Sequence, residues 1–268
     1  MKIKKILSLI LAVILLFSVA ACSGNKDDVS ENGESTTEYV PTPPVVKNDS
    51  RHHEYKAADG TVSYVLDVSI PKITENVTAD VVALLDYYFE DIYNEAVRAA
   101  TNNVENARDF MLKMTDSKTP WARTIDCETV YCTEDFISIK FTDHFSMMGG
   151  QNVPKVYAKL FNVKTGAMLT LSDLAIEGDE ETMLDLLLTA IIDKADKEFY
   201  ANGEPLSDEQ KQLIRDNFKT IDFCYDGENI TFFVNKTLLD QSYSGTYKCE
   251  FAFSEVNYIL ITPEETLA

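Results

Sequence analysis

The spacing of apolar residues changes period repeatedly along this chain of 268 residues, and the order of those changes restricts the fold more than any single motif. Ile137, Ile139, Phe141 and Phe145 alternate with Ser138, Lys140, Thr142 and His144, the two-residue period of a half-buried strand. Val81, Leu85, Tyr88, Ile92 and Ala96 instead recur at helical spacing, with Asp86, Glu90 and Asp91 on the other face. Helical and strand-like stretches follow one another without regular βαβ periodicity. The expected class is therefore α+β, with a mixed, largely antiparallel sheet or sheets and three main helices.

Two short extended runs flank an Asp59-Gly60 turn, and the second, Thr61 to Ile70, ends at Pro71. Thr78 is placed to cap a long helix that runs to about Met114, with a break near Asn102-Asn103. Pro120-Trp121 opens a strand meander to Val163, broken at Gly149-Gly150 and turned at Lys164-Thr165-Gly166. A second helix spans Asp179 to Ala201, with a wide stripe of Leu184, Leu187, Leu188, Ile191 and Ala195 and three acids at its start. Ser207 and Gln210 have capping-box spacing for a third helix ending near Phe218. Strands return over Ile221 to Tyr225, Ile230 to Val234 and Thr246 to Phe253, with an Asp226-Gly227 turn between the first two.

The N-terminus has a different logic. Lys2, Lys4 and Lys5 precede an apolar run from Ile6 to Val19 that is short for a membrane span, and Val19-Ala20-Ala21-Cys22 closes it. This pattern resembles a bacterial lipobox, which implies cleavage before Cys22, acylation of its thiol and anchoring of the mature chain to the outer side of the cell membrane. Residues 23 to about 50 are polar, acidic and proline-containing, so they bury too little surface to offset ordering entropy. The expected organisation is a signal peptide over 1–21, a disordered tether over 22–52, an N-terminal α+β subdomain over 53–150 and a C-terminal one over 151–268.

A formal charge of −20 becomes more negative once Lys2, Lys4 and Lys5 leave with the leader. Such a surface disfavours nucleic acid and anionic headgroups; it either steers cationic partners or serves solubility alone. Four cysteines remain after Cys22. Cys127 and Cys132 sit five residues apart in a strand-like stretch, which separates them by roughly 16 Å on opposite faces and prevents pairing. Cys224 falls on the polar parity of its strand and Cys249 on the apolar parity of its own, so the reading is four structural thiols. A long-range pairing such as Cys127 with Cys224 stays open, and no Cys/His spacing suggests zinc.

Two groups of segments carry a family likeness. The first is Phe145-Ser-Met-Met-Gly-Gly-Gln-Asn152 followed by Leu160-Phe-Asn-Val-Lys-Thr-Gly166 and Leu169-Thr-Leu-Ser-Asp-Leu174; the second is Tyr225-Asp-Gly227, Ile230-Thr-Phe-Phe233, Tyr243-Ser-Gly245 and the strand Tyr247 to Phe253. Their order resembles the pair of extracytoplasmic domains of unknown function in the lysozyme-sensing anti-sigma-V factors (RsiV), whose N-terminal member also precedes the catalytic domain of some peptidoglycan deacetylases. The resemblance covers about residues 60 to 260. It implies binding of a cell-wall-related ligand or of a cationic protein such as lysozyme. Relatives often place a histidine after the double glycine, where this chain has Gln151-Asn152. Sigma-factor sequestration and deacetylation are not expected, because the chain shows neither a cytoplasmic sigma-binding segment nor a separate catalytic domain.

Motifs for chemistry are sparse. Asp143-His144 is the one acid/His neighbour pair inside the folded region, without a nucleophile elbow, and His144 lies on the polar parity of its strand. His52-His53-Glu54 sits at the edge of the tether, where no scaffold would fix metal geometry. Asp179-Glu180-Glu181 fits helix-dipole stabilisation better than a calcium loop. Met147, Met148, Gln151, Asn152 and Tyr243 combine flexible or aromatic groups with small polar neighbours, which suits adaptable recognition; alternatively Met147 and Tyr243 close the end of the core. The expectation is a non-enzymatic lipoprotein, anchored through Cys22, that needs no cofactor or metal and binds an envelope ligand or cationic protein. The alternative is a wall-active enzyme or an accessory subunit of one.

Overall fold

The structure, a computed structural model, describes residues 42–114, 118–147, 154–176, 178, 180–202, 205–239 and 245–267, with only the backbone for 198–202. Of the sequence-based site residues, Met147 is among them; Cys22, Met148, Gln151, Asn152 and Tyr243 lie outside the described residues. No helix among the described residues is long and apolar enough to cross a membrane, and the apolar run Ile6 to Val19 lies outside them.

The fold is α+β, as expected. A six-stranded mixed sheet has the order β1 (Val45–Lys56), β2 (Val62–Glu75), β3 (Trp121–Cys132), β4 (Phe136–Ser146), β5 (Lys155–Asn162) and β6 (Met168–Leu169). All neighbours pair antiparallel except β2 and β3, which run parallel and are joined through the crossover helix α1 (Ala79–Lys113). A second, antiparallel sheet holds β7 (Asp222–Tyr225), β8 (Asn229–Asn235) and β9 (Thr246–Ala252). The short α2 (Leu171–Leu174) precedes α3 (Glu180–Asn202) and α4 (Asp208–Asp216), and α5 (Phe253–Val256) follows β9.

Two cores explain the two halves. On one face of the large sheet, Val81, Leu85, Phe89, Ala96, Ala100 and Ala107 of α1 pack against Leu66, Val68, Ile125, Ile139 and Phe141. Phe89 alone, fully buried, contributes about 2–3 kcal/mol of transfer free energy. The second core sets Leu187, Leu188, Ile191 and Ala195 of α3 against Ile230, Phe232, Tyr247 and Cys249, and takes in Phe136 and Leu160 from the large sheet. The sheets meet where Val156 and Ala158 contact Cys224 and Phe233. Polar bonds tie the junction: the Val156 N–H donates to Thr246 Oγ1 (2.8 Å) and the Tyr225 N–H to Ser138 Oγ (3.3 Å).

Several local expectations need correction. Strand β1 starts at Val45, inside the stretch assigned to the tether, and pairs with β2 from Val45 to Lys56. Main-chain hydrogen bonding, not apolar burial, organises this edge strand. The hairpin turn is the expected Asp59-Gly60, with Gly60 at φ +86° and the Thr61 N–H donating to Asp59 Oδ1. Helix α1 does not break at Asn102-Asn103: the Asn103 amide donates back to the Ala99 carbonyl while Ala100, Ala107 and Met111 continue the buried stripe. Helix α4 ends at Asp216, and Phe218–Thr220 form a separate 3₁₀ turn. Cys224, expected on a polar face, is buried because β7 is covered by the helical core on one side and the large sheet on the other. Cys127, Cys132 and Cys224 are free thiols, and the Cys249 thiol donates to the Ile191 carbonyl at 3.6 Å.

Candidate functional site

At the junction of the halves, the large sheet carries charge on a row that is otherwise apolar. Arg123 shares its row of β3 with Trp121 and Ile125, and Asp143 sits between Phe141 and Phe145 on β4. The register places Arg123 opposite Phe145 and Ile125 opposite Asp143, so Arg123 and Asp143 are diagonal neighbours. They form a two-pronged pair, Nε to Oδ1 at 2.9 Å and Nη2 to Oδ2 at 2.6 Å. Only 20% and 12% of these side chains is exposed. The hydrogen bonds to Asp143 raise the Arg123 pKa further above its ordinary value, so the guanidinium stays charged.

Lys155 of β5 lies directly across from Asp143. Lys155 forms no salt bridge among the described residues, and its Nζ stands 5.5 Å from the centre of the Tyr157 ring. A row of three strands thus carries two cations and one carboxylate.

These groups line a cavity of about 520 Å³. One wall is aromatic: Trp121 meets Phe145 edge-on at 5.7 Å, and Tyr64 stacks on Phe145 at 6.2 Å. Met147, 42% exposed, lies beside it. The opposite wall comes from the β8–β9 connection, through Asn235, Thr237 and Gly245. Asn235 Oδ1 accepts from the Thr237 N–H (3.1 Å) and Oγ1 (2.9 Å), which fixes the amide's orientation. The indole Nε1 of Trp121 is a buried donor with no partner among the described residues.

A smaller cavity of about 240 Å³ shares Arg123, Asp143 and Lys155 and adds Asp91 and Glu95 from α1. Tyr157, stacked on Phe141 at 5.1 Å, and Tyr88 also line it. Burial pushes the Tyr88 phenol up to about 12, and that of Tyr157 higher still, so neither ionises near neutrality. Lys159 pairs with Asp222 at 2.5 Å on the same wall.

The sequence candidates separate. Asp143 is in the cleft, but His144, the next residue along the strand, points to the other face, so the pair does not converge. His52 and His53 also diverge, and on a formed strand: His52 Nδ1 meets Asp67 Oδ1 at 2.6 Å, while His53 Nε2 meets the Tyr93 hydroxyl at 2.7 Å. Among the described residues no group of three or more His, Cys, Asp or Glu is placed to hold a metal ion. Glu180 and Glu181 occupy the first turn of α3, where they complement its dipole. Trp121, Arg123 and Lys155 were missed by motif reasoning. The signal that marks two of the site's groups is parity, since Arg123 and Asp143 are charges on rows where neighbours two residues away are apolar.

No model of a known protein family matches this sequence, and no curated protein matches it. Solved structures do match in fold. A DUF3298 family member from Bacteroides fragilis NCTC 9343 superposes with a TM-score of 0.53 at 10% identity, covering 83% of this chain and 96% of that one. A DUF3298 family protein from Pseudomonas aeruginosa PAO1 gives 0.50 at 15% identity with the same coverage of 83% and 96%. At these identities the likeness establishes architecture: this chain has a fold similar to that of DUF3298 proteins, a domain of unknown function.

Proposed function

We propose that this chain is an extracytoplasmic, lipid-anchored protein that binds an envelope ligand or a cationic protein, without catalysing a reaction, through the cleft where its two sheets meet. The observation that carries this reading is the cleft itself, a concave aromatic surface with a few fixed polar groups, the composition typical of recognition sites. The engagement of both Asp143 oxygens by Arg123, and the divergence of His144, favour binding over acid–base chemistry. The sequence candidates Met148, Gln151 and Asn152 follow Met147 in the chain, and Tyr243 precedes Gly245; both flanking residues line the cleft. Exposed Asp91 and Glu95 beside it suit a cationic partner.

Calorimetric titration of the full chain with lysozyme and with soluble wall fragments, at low and high salt, tests the reading. Binding of at least one ligand is expected, with lysozyme affinity falling as salt rises. Absence of binding by both at low salt contradicts it. For the anchor, a fatty-acid probe is expected to label the wild type and not Cys22→Ala; an unlabelled wild type contradicts the localisation.

A further inference from the structure

The larger cavity has a charge that its surroundings do not explain. In a chain of formal charge −20, the ionised groups lining it among the described residues are Arg123, Lys155 and a single acid, Asp143. Arg123 and Asp143 neutralise each other, and the Lys155 ammonium forms no salt bridge among the described residues. The rings of Trp121, Phe145 and Tyr64 line the same cavity, and the Nε1–H of Trp121 has no partner among the described residues. A buried donor without an acceptor costs about 1–3 kcal/mol, which an acceptor-bearing ligand recovers.

Resting on the proposed cleft-binding reading, we propose that this cavity takes a small carboxylate with an apolar body. The body lies against Trp121 and Phe145, the carboxylate pairs with Lys155, and the Trp121 indole donates to a ligand oxygen. Asp91 and Glu95 border the adjoining cavity, which Lys155 also lines, so they disfavour an anionic end there and not in the larger cavity. Asn235, with its oxygen occupied by Thr237, presents its amide N–H groups as further donors.

Trp121 is the one tryptophan of the chain, so its emission reports on this cavity alone. The probes are cyclohexanecarboxylate, cyclohexylmethanol and cyclohexylmethylammonium, which share a ring and differ in head-group charge. The carboxylate is expected to shift the emission of the full chain saturably in the millimolar range, the alcohol more weakly, the ammonium not at all. Lys155→Met, at an exposed position that leaves the fold intact by circular dichroism, is expected to weaken carboxylate binding by roughly tenfold or more while sparing the alcohol. Calorimetry on Trp121→Phe, which keeps a ring and removes the donor, is expected to show a smaller loss. If the alcohol or ammonium binds as tightly as the carboxylate, or Lys155→Met binds unchanged, the ligand class is wrong although the cavity binds. No saturable response to any probe overturns the small-ligand site, and the lysozyme and wall-fragment titrations then judge the broader reading separately.

Discussion

Asp143 sits on an otherwise apolar row paired with Arg123, and removing one partner strands the other in a cleft where little solvent reaches. Arg123→Ala is expected to lower stability by about 3 kcal/mol, measured by urea unfolding, and the double variant with Asp143→Asn by less than the sum of the single changes. At the Asp226-Gly227 turn, Gly227 has φ +98° and a Cβ there would stand 2.9 Å from Tyr131 Cε2. Gly227→Ala therefore combines backbone strain with a clash and is expected to cost about 1–3 kcal/mol by the same assay. His52 carries a pKa raised above 6.5, chiefly by its hydrogen bond to Asp67. Its stabilising effect is complete below the unfolded value and lost as pH rises through the folded one. An NMR titration is expected to show the His52 midpoint falling toward 6.5 in Asp67→Asn. Asp143 was singled out only for its neighbour His144 and Arg123 was missed, although by parity both were legible from sequence. Lys155 was not, since a lysine at the start of a strand looks like any solvated residue until its register opposite Asp143 is known.

Among the elements, the helix caps offer a paired comparison. Ser207 and Gln210 form the reciprocal capping box their spacing predicts, with Ser207 Oγ accepting from the Gln210 N–H at 3.2 Å and Gln210 Oε1 from the Ser207 N–H at 2.9 Å. Thr78 occupies the cap position of α1 without a side-chain bond. Ser207→Ala is expected to cost about 1 kcal/mol and Thr78→Ala markedly less, both read from thermal unfolding. The thiols also differ by element: burial pushes Cys224 up to about 11, and Cys127 is raised for the same reason. Half-buried Cys132 is expected to react with maleimide first in the folded chain, ahead of Cys127 and Cys224, by peptide mass mapping. Strand and helix periods identified α1, β4, β5, α3 and the second sheet. β1 escaped because Asp49, Arg51 and His53 have no apolar period. They are held by contacts remote in sequence, Arg51 on Glu90 and His53 on Tyr93. The parallel β2–β3 pairing was equally hidden, since it depends on the path of α1 and not on any local pattern.

Across the whole molecule, acidity and the cleft act at different ranges. The Arg51 guanidinium, bonded at 2.8 and 2.5 Å, holds the Glu90 carboxyl below its ordinary value. The stability Glu90 adds is thus present above the usual carboxylate range and lost as pH falls through its folded value. Unfolding curves are expected to show Arg51→Gln losing its destabilising effect as the pH falls below the usual carboxylate range and through the folded Glu90 value. On the proposed reading, the many other acids would set how partners approach, an effect salt removes, whereas Trp121, Arg123 and Phe145 would set what the cleft accepts. The most direct measurement is hydrogen–deuterium exchange of the full chain alone and saturated with lysozyme or soluble wall fragments. Added protection at Trp121–Arg123, at Phe145–Met147 and around Asn235–Thr237 is the predicted result; saturating binding with protection confined to other elements would contradict a function carried by the cleft.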